Sequence, residues 1–148
     1  MKITICGSIA FLDEMKKLSD ELVKYDHEVC MPATDDIKDG NGKIVSKKDF
    51  YYIRKNPNRI NEKWIHNCTE RAIRTHFKKI DWADIVLITN YDKKDVKYVG
   101  ANTLIEMGLA FYQKKPIFLL NPIPDIDCRE EIYGMKPTVI NGDLTLLS

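Results

Sequence analysis

KITICGSIAFLDEMKKLSDELVKYDHEVCM, residues 2–31, reads as a strand, a helix and a second strand. Lys2–Cys6 (KITIC) is a short apolar run closed by Gly7-Ser8. Leu12, Met15, Leu18 and Leu22 then recur at helical spacing as far as Tyr25, with Asp13, Glu14, Lys16, Lys17 and Asp20 on the opposite side. Residues 27–31 (HEVCM) form the second strand, stopped by Pro32. Further along, residues 84–89 (DIVLIT), 116–120 (PIFLL) and 138–140 supply three more strands. A long helix carrying Ile60, Trp64, Cys68, Ala72 and Phe77 precedes the third strand, and another runs from Gly100 or Asn102 to Gln113. The strands are continuously apolar rather than alternating, which suits a parallel sheet covered on both faces.

This pattern predicts an α/β fold: a flavodoxin-like three-layer sandwich with a five-stranded parallel sheet, order 2-1-3-4-5. The ligand crevice of such a sheet lies beyond the carboxyl ends of strands one and three, so residues 7–12, 90–106 and 121–127 are the segments to read for chemistry. The 148 residues suit a single domain, 1–148, interrupted by an insert at about 33–57 that is rich in Asp, Lys, Gly and Asn. Its Asp39-Gly40-Asn41-Gly42 run is a turn signal, either the tip of a hairpin or a mobile flap. Hydrophobic residues at 44% and charged residues at 30% exclude wholesale disorder. Lys and Arg (23) nearly balance Asp and Glu (22), which argues against nucleic acid or an anionic membrane as main partner. No apolar run approaches the roughly 20 residues of a membrane span. Charge arrives too early after Met1 for a signal peptide, so a cytoplasmic protein is expected. Cys6, Cys30, Cys68 and Cys128 show no metal-ligand spacing and read as reduced structural thiols, and no metal or redox cofactor is implied. Cys6 and Cys30 are possible neighbours on adjacent strands.

Glu106 carries the most information. It is the only charged residue in the segment VGANTLIEMGLAF, residues 99–111. A carboxylate in so apolar a helix is costly unless it is paired or faces a cavity. Gly7, Ser8 and Ile9 form a strand-to-helix turn whose amides could hold an anion such as phosphate, although such turns also serve simply as connections. Neither a dinucleotide fingerprint nor a Walker loop is present. His76, near a helix end, reads first as a surface or capping residue. Tyr91, Asp92, Lys93, Lys94, Asp95 and Lys97 form a charged loop, read first as a solvated lid. Asn121, stiffened by Pro122 and Pro124, is expected to point at the crevice. Tyr112, Trp64 and Trp82 read as core or interface aromatics.

Three segments carry a resemblance to the nucleoside 2-deoxyribosyltransferase superfamily, which includes the 2'-deoxynucleoside 5'-phosphate N-hydrolases. They are Ile5-Cys6-Gly7-Ser8-Ile9, Ala83-Asp84-Ile85-Val86-Leu87-Ile88, and GANTLIEMGLA from Gly100 to Ala110, followed by Lys115-Pro116-Ile117. The resemblance implies that Glu106 is a catalytic nucleophile forming a glycosyl-enzyme ester, resolved by water or a second base. It also implies that Gly7, Ser8 and Ile9 hold the 5' region of a nucleoside or nucleotide. Asn121 would supply a polar contact to its own or a neighbouring site, since family sites are often completed across a dimer. Two family positions differ: Gly100 stands where an Asp or Ser commonly binds the 5' group, and His76 where many members place an Asp near the base. Asn102 and His76 are the candidates to take over those roles. A weaker resemblance joins Thr103-Leu104-Ile105-Glu106 to the nucleoside-5'-monophosphate phosphoribohydrolases, which also cleave N-glycosidic bonds. The alternative to an enzyme is a nucleotide-binding or regulatory protein of the same fold. A homo-oligomer, at least a dimer, is expected.

Overall fold

The computed structural model describes residues 1–94 and 96–147. Among these, the elements in chain order are β1 (Lys2–Cys6), α1 (Leu12–Lys24), β2 (Glu28–Cys30), β3 (Ile37–Lys38), β4 (Ile44–Val45), α2 (Lys47–Ile53), α3 (Lys63–Trp82), β5 (Ile85–Ile88), β6 (Asp92–Lys93), β7 (Val96–Lys97), α4 (Ala101–Tyr112), β8 (Ile117–Leu119), α5 (Arg129–Gly134) and β9 (Thr138–Val139). The five apolar runs pair as one parallel sheet in the order β2-β1-β5-β8-β9. The order does not read 2-1-3-4-5 along the whole chain because two small hairpins, β3-β4 and β6-β7, intervene. Periodicity does not mark them: each of their strands has two residues, too few to show a period. The arrangement is consistent with a flavodoxin-like sheet, and no described helix is long and apolar enough to cross a membrane.

Alternation along β1 divides the molecule. Ile3 and Ile5, with Ile85 and Leu87 of β5, bury against Leu12, Met15, Leu18 and Leu22 of α1. Cys6, with Val86 and Ile88, packs instead against Ile80 of α3, Met107 and Ala110 of α4, and Ile132 of α5. A shift of one residue in register would exchange the two sets, so burial on both faces fixes the pairing Ile3↔Ile85 through Cys6↔Ile88. Gly7 is required by packing: a Cβ there would lie 2.0 Å from Thr89 Oγ1. Cys30 lies opposite Thr4, not Cys6, and all four cysteines are free.

The insert is built onto α3. Its hairpin turn uses Gly42 at φ +80, Asp39 Oδ1 accepts from the amides of Asn41 (2.8 Å) and Lys43 (3.0 Å), and Gly40 packs directly on the Trp64 ring. Val45, Phe50 and Ile65 form a small core of their own, with Trp64 and Cys68 against it. The turn run is therefore the tip of a seated hairpin. At the opposite end of α3, the Lys115 ammonium donates to the carbonyls of Ile80 (2.6 Å), Asp81 (2.7 Å) and Ala83 (2.7 Å). It caps the helix end, bonding two carbonyls of the last turn and that of the capping Ala83.

Candidate active site

Thr103, Glu106, Met107 and Ala110 form the buried stripe of α4, at the i, i+3, i+4, i+7 spacing of one helix face. Glu106 thus occupies an inward position, and only 9% of it is exposed. His76 holds the equivalent inward place on α3, four residues before the fully buried Ile80, and is 5% exposed. Its Nε2 lies 3.7 Å from Glu106 Oε2. The Cys6 thiol, wholly buried at the end of β1, lies within 4.8 Å of the same carboxyl and of the His76 ring. Neither ring nitrogen of His76 and not Glu106 Oε2 has a hydrogen-bond partner among the described residues.

These groups titrate away from their ordinary ranges. Burial pushes the Glu106 carboxyl up to about 8, against a smaller opposing effect of the neighbouring Cys6 thiol. Burial lowers His76 to about 4, assisted by the nearby Lys79 charge. Burial, with Glu106 alongside, raises the Cys6 thiol. Both shifts favour the neutral forms, a protonated carboxyl beside an uncharged imidazole.

Both residues open onto a cavity of about 430 Å³. Gly7, Ser8 and Ile9 line one side, and Tyr98, Gly100 and Asn102 another. Ser8 is partly committed: its Oγ accepts from the Ala10 amide at 3.3 Å, capping a short 3₁₀ turn. Gly100 begins α4 without a side-chain cap, so the first amides of that helix remain available beside the cavity. Glycine at position 100 places no side chain over those amides.

The rest of the wall comes from the insert and α3, which sequence reasoning had not placed there. Lys47, Phe50, Tyr51, Arg54 and Lys55 approach from α2 and its end, and Ile65, Ile73 and Lys79 from α3. Lys93 Nζ donates to the Tyr51 hydroxyl at 2.8 Å, joining the β6-β7 hairpin to α2. The charged loop is therefore a hairpin braced against the insert, with Asp95 outside the described residues. Four cationic side chains, Lys47, Arg54, Lys55 and Lys79, line the cavity against one carboxyl, Glu106, among the described residues. Lys79 is engaged with the Met31 carbonyl at 2.7 Å. Arg54 lies over the Phe50 and Tyr51 rings, and no ion pair to it is found among the described residues. Burial disfavours the charges of Lys47 and Arg54, a cost that a bound anion would offset. The available signal was the aromatic and basic run Phe50-Tyr51-Tyr52 with Arg54-Lys55 in an otherwise polar insert.

Asn121 is not among the residues lining this cavity. Its Nδ2 donates to the Asn90 carbonyl (3.2 Å), and its amide donates to Asn90 Oδ1 (2.9 Å). Asn90 Nδ2 in turn donates to the carbonyls of Asn121 (3.0 Å) and Pro122 (2.9 Å). This clasp ties the ends of β5 and β8 together and places Asn121 in a separate shallow cleft beside Glu14, Lys17 and Tyr91. Tyr112 is 83% exposed and contributes to no core.

No family model matches the sequence, and no curated protein matches it. Among solved structures the chain is similar to a 2-deoxyribosyltransferase from the psychrotolerant bacterium Bacillus psychrosaccharolyticus. The two share 18% identity over 80% of this chain and 71% of that one, with a TM-score of 0.48. A likeness this distant assigns no activity.

Proposed function

We propose that the cavity binds a nucleoside or nucleoside 5'-monophosphate and that Glu106 cleaves its N-glycosidic bond. The observation that carries this reading is a buried carboxyl on the inner stripe of α4, in contact with His76 and open to a cavity whose described charged lining is four cations against that one carboxyl. The cations and the uncapped start of α4 favour a substrate with a 5'-phosphate. Phe50, Ile65 and Ile73 supply apolar wall for the sugar and base.

The proton inventory closes through His76. The resting carboxyl holds a proton and must lose it to attack the anomeric carbon. His76 Nε2, at 3.7 Å, is placed to take that proton and pass it to the departing base. The C–N bond breaks, an ester bond forms between Glu106 and the sugar, and the base leaves as a neutral molecule. Water then cleaves the ester, returning a protonated Glu106 and the free sugar hydroxyl. A second base in place of water would give transfer, and hydrolysis is the favoured outcome because the Cys6-Gly7-Ser8-Ile9 turn resembles that of the N-hydrolases.

The test is a panel of nucleosides and their 5'-monophosphates assayed for free base by chromatography. Glu106→Gln is expected to reduce release at least about a thousandfold while leaving ligand binding largely intact. Equal turnover by the variant overturns the mechanism. Base exchange with and without an acceptor base separates transfer from hydrolysis. The second reading, nucleotide binding without turnover, draws on the protonated resting state of Glu106 and on Gly100 at the family's 5'-binding position. A tight complex by calorimetry with no base released over long incubation would establish it.

A further inference from the structure

No ligand spacing in the sequence announces a metal site, yet three chemically different donors converge under the cavity floor. Cys6 Sγ, one nitrogen of His76 and one carboxylate oxygen of Glu106 lie within 4.8 Å of one another. They come from the end of β1, from α3 and from α4, so the fold and not a local motif assembles them. The His76–Glu106 separation is already 3.7 Å. A tetrahedral zinc ion with bonds of roughly 2.0–2.3 Å spaces its ligands about 3.3–3.7 Å apart, so a small contraction would complete the set.

The second observation is the lack of protein partners. His76 Nδ1 and Nε2 and Glu106 Oε2 are buried with no hydrogen-bond partner among the described residues, although buried polar groups are normally satisfied. A cation bound by the trio would satisfy one nitrogen and one oxygen and employ the thiol as thiolate. A sulfur, imidazole and carboxylate donor set selects a borderline-soft divalent ion such as Zn²⁺ over Mg²⁺ or Ca²⁺. Three protein ligands leave a fourth position, on the side of His76 and Glu106 that faces the cavity.

We propose that Cys6, His76 and Glu106 form a three-ligand binding site for a thiophilic divalent cation, and that its occupation withholds Glu106 from any other reaction. The second half rests on the reading of Glu106 as nucleophile, because a carboxylate oxygen coordinated to Zn²⁺ is a poor attacking group. The first half does not. The cation would then act as a reversible inhibitor, its access governed by the same cavity that admits substrate.

The experiment uses the full chain, stripped with a chelator and titrated with Co²⁺ alone and then Zn²⁺ alone. One equivalent of Co²⁺ is expected to give an intense thiolate-to-cobalt charge-transfer band and tetrahedral d–d absorption, both abolished by one equivalent of Zn²⁺. Cys6→Ser should remove the charge-transfer band. His76→Gln should weaken Zn²⁺ binding at least about a hundredfold, since even outer-shell partners contribute up to that much. Cys30→Ser, Cys68→Ser and Cys128→Ser should leave the band unchanged. Absence of the band at one equivalent in the native chain overturns the site, whether or not the variants fold. So does a band that survives Cys6→Ser. Base release measured with and without Zn²⁺ separates the two readings. Stoichiometric binding that leaves release unaffected removes Glu106 as nucleophile but keeps the site. Glu106-dependent release with no metal binding does the reverse.

Discussion

The two faces of the central sheet are built from alternate residues of the same strands and have opposite characters. On one, Ile3 and Ile5 meet Leu12, Met15, Leu18 and Leu22 of α1, and hydrocarbon fills the space. On the other, Cys6 emerges one position beyond Ile5, and the helices covering it contribute His76 and Glu106 where hydrocarbon would be expected. The first face is designed for cohesion, and its residues can be explained by burial alone. The second is apolar as far as Ile80 and Met107 and then becomes polar at the carboxyl end of the sheet, where α2 and the start of α4 enclose a cavity instead of a core. The candidate site is therefore confined to one side of a sheet that is only one strand thick, and the period of two along β1 is what confines it.

The sharpest way to test that division is to damage each face in turn. Leu22→Ala on the sealed face should lower unfolding free energy by about 3 kcal/mol, within the usual span for a fully buried leucine, while the folded fraction keeps its KM and kcat. Denaturant melts and kinetics on the same sample check it, and a change in kcat would show that the faces communicate. On the open face, the effect should depend on pH. Glu106 binds its proton more tightly folded, at about 8, than unfolded, at 4.5. Its stabilising contribution is complete below pH 4.5 and is lost as pH rises through 8. Gln cannot ionise, so Glu106→Gln should gain stability relative to the native chain between pH 5 and pH 9, by on the order of 3 kcal/mol. Parallel melts across that range would show a flat difference if the carboxyl were solvated instead.

Smaller effects refine the picture of the cavity itself. His76→Gln should lower kcat by roughly a hundredfold, the usual contribution of a positioned proton carrier. On the proposed mechanism the native chain's rate should decline above about pH 8, as the pair loses its proton, and below about pH 4, as His76 gains one. A pH–rate profile without the upper limb would exclude the relay. The mildest expectation concerns the insert: Arg54→Met should raise KM for a nucleoside 5'-monophosphate about tenfold and leave the unphosphorylated nucleoside nearly unchanged. Equal losses on both would assign Arg54 to wall packing.

The main sheet and its long helices were legible because each carries a pattern that needs no distant partner. β1 and α1 match their sequence boundaries nearly to the residue, and Glu106 stood out as one charge in an apolar helix. What could not be read depends on contacts far apart in sequence. His76 resembles any surface histidine until α4 brings Glu106 against it. α2 has seven residues, too short for a visible period, and its buried Phe50 acquires meaning only by packing on Ile65. Asn121 was placed at the crevice from its position after a strand, and nothing local reveals that Asn90 would capture its carboxamide.

Lys115 sets a mechanical condition on all of this. Its ammonium holds the last carbonyls of α3, and it follows α4 by three residues, so the helices bearing His76 and Glu106 are fastened together at this end, where Gln113 Nε2 also donates to Asp81 Oδ1. The fastening lies about 9 Å along each helix from the residue it carries. Like tongs riveted at the handle, the pair is held in register from behind, by a lysine that stands outside the cavity wall.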